Sequence, residues 1–413
     1  MVELNDFAVA RTAPPRRGWG DSFVLRGILS RLVGMIEHGE IHIQTPSGEV
    51  IRGAGAHPGP VGRLTLHRAR AVRRLLLDGD IGFGESYMAG DWSSPDLAAL
   101  IEVVALNHDR MMPALSGSPL ARLAHRLLHL GHANTKRGSA KNIPAHYDLG
   151  NDFYAAWLDP DMTYSSGLYE QAGWTLEQAQ TAKQDAVIDG LRLAGGERVL
   201  EIGCGWGALA RRLAREHGCH VTGLTLSSAQ LDHARGCVGD GYGRGAVDLR
   251  LQDYRDVRGS FDRIVSIEML EAVGKAFWPT YFSTLRDRLR PGGTAVLQVI
   301  TMADAPFATY QHSVDFIQRH IFPGGMIPTD GLVRSHAQAH GLVLDGFRAF
   351  GAGYAQTLNH WRERFHRAWP KLRGAEFDDR FQRKWDFYLS YCEGGFRAGL
   401  LDVGLYQLRR AVA

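Results

Sequence analysis

Two stretches concentrate the residue types that could do chemistry. In "VLEIGCGWGALARRLAREHG" an apolar strand over residues 199–202 runs into Gly203-Cys204-Gly205-Trp206-Gly207, and a helix leaves with Leu209, Ala210 and Leu213 on one face. Closely spaced glycines let a backbone turn sharply and approach a ligand. A carboxylate, Glu201, precedes the loop, and the next strand ends in "TLSSAQ", which brings Thr225, Ser227 and Gln230. Ser227 and Gln230 also have the spacing of a helix capping box. The loop lacks the GK[ST] ending of a phosphate loop, and Gly207 follows Gly205 too closely for the dinucleotide fingerprint. The second stretch is "DMTYSSGLYE", residues 161–170, with Tyr164, Ser165 and Ser166. It is too polar for a core strand and too poor in turn residues for an ordinary connection.

The elements that must position these groups read as two regions. Leu25, Ile28, Leu29, Leu32, Val33 and Ile36 recur at helical spacing, and "EIHIQTPSGEVIRG" alternates like a hairpin turning at Pro46-Ser47-Gly48. More helix follows to about residue 132. "RLTLHRARAVRRLLL" (63–77) reads as one helix carrying five arginines, which suits either an anionic membrane surface or a solvated face. Residues 133–152 are polar and rich in small residues and read as a linker. Beyond them, "RVLEIG", "HVTGLTL", "VDLRLQDY", "FDRIVSIEML" and "TAVLQVITM" alternate with helical stretches, the signature of a parallel sheet covered on both faces. The expected domains are therefore 1–132 and 153–413.

Bulk properties narrow the class. A chain of 413 residues suggests two domains, and a formal net charge of +3 gives no argument for nucleic acid. The four cysteines (Cys204, Cys219, Cys237, Cys392) form no CxxC pair or metal-ligand spacing, so no metal is expected and a cytoplasmic location is. The N-terminus shows no signal-peptide pattern, and no apolar run is long enough to span a membrane.

The pattern E-x-G-x-G-x-G at a first strand resembles the S-adenosylmethionine loop of class I methyltransferases. That resemblance implies an α/β, Rossmann-like fold: a mostly parallel seven-stranded sheet with helices on both faces. It also implies that Thr225, Ser227 and Gln230 meet ribose hydroxyls or the methionine part, and that Gln252 and Asp253, in "LQDYRD", stand where adenine is read. For Asp253 a solvated loop position competes.

The segments "HYDLGNDFYAAWLDPDMTYSSGLYE", "LEIGCGWG", "LTLSSAQ", "LQDYRD", "SIEMLEAVG", "HIFPGGMIPT", "GYAQTLNHWRERF" and "YLSYCEGGFRAG" follow the order found in cyclopropane-fatty-acyl-phospholipid synthases and their mycolic acid relatives. The chain resembles that family from about residue 140 to 410, and its N-terminal part looks like the smaller domain of the bacterial phospholipid enzymes. The resemblance implies methyl transfer from S-adenosylmethionine to the double bond of an unsaturated phospholipid acyl chain. It also implies peripheral attachment to the membrane and a homodimer. Cofactor contacts carried over are Tyr164, Ser165, Gly203, Gly205, Thr225, Gln230, Asp253 and Ile267. A bicarbonate that takes the departing proton would be held at the positions of Ser166, Glu271, Gln298, Ile300 and Tyr354. Cys392 matches a C-terminal Cys sometimes given a catalytic role, although olefin methylation needs no thiol and a structural Cys fits better.

At two of these positions the chain departs from the family. Ser166 stands at the position of a Cys and Gln298 at that of a His, and Ala272 replaces the His that commonly follows Glu271. Ser and Gln can hydrogen-bond an anion but offer neither thiol acidity nor imidazole charge. Either a weakened bicarbonate site persists, or a carboxylate such as Glu271 acts as base. With no base facing the new methyl, a neighbouring chain proton would leave and give a methyl-branched, still unsaturated product. A true cyclopropane synthase, a lipid-binding protein without turnover and a methyltransferase for a soluble small molecule are the alternatives.

Overall fold

The computed structural model describes residues 23–115, 149–238 and 244–412, together with 117–119, 125, 134–136 and 138–139. Most of the expected 133–152 linker and the N-terminal signal question lie outside the described residues.

The first region is built on a four-stranded sheet in the order β2-β1-β3-β4. Strand β1 (His38–Gln44) pairs antiparallel with β2 (Val50–Ala54) across the expected turn, where Gly48 has φ +91° and its N–H donates to Thr45 O. Alternation along β1 sends Ile41 and Ile43 inward, beneath helix α1 (Phe23–Val33) with its buried Leu25, Leu29, Leu32 and Val33. Strand β3 (His57–Leu66) runs parallel to β1, and the short β4 (Trp92–Ser93) closes the edge. The single arginine-rich helix is not formed. Residues 63–66 finish β3, and helix α2 starts at Arg70 and runs to Met88 with a break at Gly79, φ +64°. Arg68 and Arg70 at the turn pair with the fully buried Asp91 (3.0 and 2.7 Å), so this corner is a structural ion pair rather than one basic face. Helix α3 (Leu97–Leu106) is capped by Asp96, whose side chain accepts from Ala99 N–H, and packs on β3; α4 (His108–Leu115) follows.

The second region carries the expected sheet. The parallel strands are β5 (Arg198–Ile202), β6 (His220–Thr225), β7 (Ala246–Leu251), β8 (Phe261–Ile267) and β9 (Leu289–Met302). Two antiparallel strands that sequence reading did not place, β10 (Leu342–Ala349) and β11 (Leu401–Arg410), complete the order β10-β11-β9-β8-β5-β6-β7. With β5 central, β6 and β8 diverge on its two sides, and the crevice at their carboxyl ends is the topological switch point where ligands bind in open α/β sheets. Among the covering helices are α5 (Asn151–Ala155), α6 (Leu176–Leu191), α7 (Ala208–His217) and α8 (Ser228–Cys237). They are followed by α9 (Leu270–Val273), α10 (Trp278–Arg288), α11 (Asp304–Tyr310), α12 (Phe316–His320) and α13 (Asp330–Ala339).

Two long helices, α14 (Gly351–Leu372) and α15 (Asp379–Arg397), pack on each other, and α15 also packs on α2 and α3 of the first region. Gly394 on α15 lies so close to α3 that a Cβ there would stand 2.7 Å from Ile101 Cγ2. The Phe387 ring packs tilted against Phe316, centroids 4.6 Å apart, and the Tyr388 hydroxyl, one residue on, reaches the Tyr164 hydroxyl at 2.7 Å. One helix therefore touches the first region and the crevice of the second.

Candidate active site

The loop after β5 explains its glycines. Gly203, Gly205 and Gly207 all have positive φ (80°, 52° and 81°), and a Cβ on Gly203 would meet Met269 at 2.4 Å. Gly203 and Cys204 both donate to Leu224 O, which locks the loop to β6. Next to it, Thr225 Oγ1 and Gln230 Oε1 are 2.9 Å apart, and Ser227 Oγ accepts from Gln230 N–H. Ser227 is thus a helix N-cap, while the Gln230 side chain turns to Thr225 and leaves the reciprocal half of the capping box unmade.

One cavity of about 780 Å³ collects most of the expected cofactor residues. Tyr164, Ser165, Glu201, Gly203 and Gly205 line it, as do Thr225, Gln230, Gln252 and Ile267. Three expected contacts are not among its walls. Ser227 serves as a cap, Gly207 faces Ala234, and Asp253 is turned into a nearly buried ion pair with Arg255 at 2.6 Å. The cavity offers features a polar ligand would complete. No atom lies within 4 Å of a Cβ built on Gly205, and the buried Glu201 Oε2 has no partner. Burial pushes the Glu201 pKa up to about 8, against the pull of Lys183.

Sequence reasoning missed the residue at the centre. Glu268, directly after β8, is a non-glycine held at φ +51°, an uncommon conformation that surrounding contacts must enforce. Its Oε1 accepts from Ser166 N–H (2.9 Å) and Gln298 Nε2 (2.7 Å), and its Oε2 accepts from the Tyr354 hydroxyl (2.7 Å). Desolvation raises its pKa, opposed chiefly by these donors and by the Lys183 charge. Glu271 accepts from Ile300 N–H, leaves Oε2 without a partner, and is pushed up to about 8 by burial and by the Glu268 charge. Ser166 itself is fully buried and gives its hydroxyl to Gly167 O. Glu268, Glu271, Ile300 and Tyr354 line the cavity, whereas Ser166 and Gln298 stand behind Glu268 as supports.

These contacts test the expected bicarbonate. The Ser166 N–H, Gln298 and Tyr354 donors are engaged by Glu268, and the Ile300 N–H by Glu271. An added anion would face two carboxyl groups and donors already in use, so the residues do not fit bicarbonate.

Lys183 was also missed, though it breaks an apolar stripe of α6 between Ala179 and Val187. Buried there, it donates to Ser165 Oγ at 2.6 Å, and its pKa falls to about 8 through desolvation despite Glu268, Asp159 and Glu201. Cys392 lines the cavity, but burial pushes its thiol pKa far up and keeps it un-ionised, contrary to a nucleophilic role. Among the described residues no His, Cys, Asp and Glu group could hold a metal ion.

The family model described as mycolic acid cyclopropane synthetase matches residues 134–406. A tuberculostearic acid methyltransferase (UfaA1) of Mycobacterium tuberculosis is 41% identical over 357 residues, 84% of this chain and 83% of that protein. The cyclopropane-fatty-acyl-phospholipid synthase of Escherichia coli is 36% identical over 339 residues, 81% and 84% of the two chains. The crystal structure of mycolic acid cyclopropane synthase CmaA1 with SAH and CTAB superposes with a TM-score of 0.59 at 30% identity. It covers 66% of this chain and 98% of its own.

Folded Glu271 keeps its proton to about pH 8, whereas an unfolded glutamate loses it near 4.5, so its contribution to stability falls as pH rises between those values. Glu271→Gln keeps an acceptor for Ile300 N–H and has no proton to lose. Its Tm relative to the parent protein is expected to rise from about pH 5 to about pH 8. A difference that stays level contradicts a protonated Glu271.

Proposed function

We propose a reaction for a chain that belongs to the mycolic acid cyclopropane synthetase family: methyl transfer from S-adenosylmethionine to an unsaturated phospholipid acyl chain, with a branched, still unsaturated product. Tyr164, Ser165, Gly203, Gly205, Thr225 and Gln230 would hold the cofactor, beside the unpartnered Glu201 oxygen. When bound, it supplies an electrophilic methyl group carried on a positively charged sulfur. A phospholipid substrate places the enzyme at the membrane surface in this reading; no helix among the described residues is long and apolar enough to cross a membrane.

The residues of the chain account for the remaining chemistry. Attack by one alkene carbon on a methyl leaves a carbocation on the other. Tyr354, Phe396 and Tyr164 line the cavity, and aromatic rings stabilise a cation without bonding to it. The largely apolar walls exclude the water that would trap it. Glu268 contributes a negative charge beside Tyr354 and a basic oxygen for the departing proton.

The clamped Glu268 carboxylate carries this reading. The sequence offered a carboxylate such as Glu271 as base; the geometry favours Glu268 for that role. Loss of the hydrogen on the methyl-bearing carbon gives a methyl-branched alkene directly. A hydride shift from that carbon first yields a more substituted cation, whose methyl can then lose a proton to leave a methylidene branch. Ring closure requires instead that the base take a methyl proton while the methyl lies over the cation. Further support comes from Ser166 and Gln298 at the positions of Cys and His, and from the 41% identity to a protein named as a methyltransferase, against 36% to a ring-forming synthase.

Incubation with monounsaturated phospholipid and methyl-trideuterated cofactor, followed by mass spectrometry of the fatty acids, reads the product. All deuterium retained with a double bond marks a methyl branch; one deuterium lost with a double bond marks a methylidene branch. One deuterium lost without a double bond is a ring and overturns the reading. Glu268→Gln preserves shape but not basicity, and its kcat is expected to fall at least ~100-fold with the Tm maintained. A kcat within a few-fold of the parent protein removes Glu268 from the chemistry.

A further inference from the structure

The cavity does not end at the carboxylates. It continues past α15 into the first region, where its walls are Leu29 and Leu32 of α1, Ile43 of β1, Leu66 of β3, Val72 of α2 and Leu100 of α3. These side chains belong to the packed core of that region, each below one-tenth exposed, and they also form a wall of the cavity. Aliphatic walls around open volume forfeit packing contacts and hold water poorly. Such a space is explained by an apolar occupant.

Two further observations identify the occupant. The family model begins at residue 134, and the CmaA1 structure, although 98% covered, matches only 66% of this chain, so these walls lie in residues that the family model does not match. Between the two ends of the cavity stand Asp80, just after the α2 break, and Asp315, just before α12. Asp80 Oδ2 accepts from Phe316 N–H at 3.3 Å, which joins the two segments. Ionised carboxyl groups here oppose entry of a phosphate, and burial, which raises their pKa values to about 6 and about 7, eases the neutral form that tolerates a hydrocarbon.

We propose that the interior of the first region is a sleeve for the methyl end of the substrate acyl chain, and that its depth selects how many carbons may lie beyond the double bond. The proposal rests on the acyl-chain reading of the reaction. The reacting double bond lies at Glu268 and Tyr354, the distal segment passes Asp80 and Asp315, and the terminal methyl lies among Leu29, Ile43 and Leu66. The headgroup remains on the other side of the reaction centre.

The test uses the full chain with phosphatidylglycerol vesicles bearing palmitoleoyl, vaccenoyl or oleoyl chains. Palmitoleoyl and vaccenoyl chains share the same number of carbons beyond the double bond, and oleoyl has two more. Ile43→Trp fills the sleeve and is expected to lower turnover of oleoyl chains roughly tenfold more than of the other two, as excluding two methylenes should. Leu66→Ala deepens the sleeve and should shift preference towards oleoyl, so a misfolded Ile43→Trp does not decide the question. Equal effects on all three chains overturn the sleeve, as does a response that separates palmitoleoyl from vaccenoyl. Should the unaltered protein methylate none of the three, the reaction itself is wrong, an outcome distinct from uniform selectivity.

Discussion

The arrangement depends on three hydrogen bonds made to one carboxylate. Ser166, Gln298 and Tyr354 come from the segment before α6, from β9 and from α14, and all donate to Glu268 at the end of β8. A buried carboxylate is expensive unless its oxygens are satisfied, so the clamp holds these four pieces of chain together and fixes their relative placement. The same bonds hold Glu268 at φ +51°. Strain of this kind, kept by converging contacts, is characteristic of a position where the geometry of one side chain matters more than local backbone preference.

The charges around the clamp form one system. Lys183 lies within electrostatic reach of Asp159, Glu201 and Glu268, and Glu268 in turn raises Glu271. Glu271, held neutral with one oxygen unpartnered, and Glu268, held by three donors, are two carboxyl groups of different character in one cavity, set apart by their environments. The Glu268 carboxyl and the aromatic rings on the cavity wall favour chemistry that passes through positive charge, the rings without supplying a nucleophile. The residues that depart from the ring-forming pattern therefore act together: Gln298 and the Ser166 backbone serve Glu268, not a dissolved anion.

The sequence made the parallel sheet legible because its strands alternate with helices at regular spacing and each carries a short run of apolar residues. Strands β10 and β11 lacked that signal. They are antiparallel additions, and "LVLDGFRA" mixes Asp, Gly and Arg into an edge strand. The Arg63–Leu77 stretch was misjudged by counting arginines across a strand end and a turn. The glycine loop was legible from types and spacing, and Glu271 only through the family resemblance. Asp253 was not, because only folding brings Arg255 back onto it. Glu268 escaped notice because a left-handed backbone and three donors from distant segments leave no trace in local composition. Lys183 did leave one, a cation in an apolar stripe.

The central claim is that a side-chain carboxylate does the work of a soluble base. Its most direct measure is the initial rate of methyl transfer to phospholipid vesicles in carbonate-free buffer, with and without added bicarbonate. The account predicts the same rate in both, since Glu268 and Glu271 already engage the donors an anion would need. A rate that rises saturably with bicarbonate would contradict it.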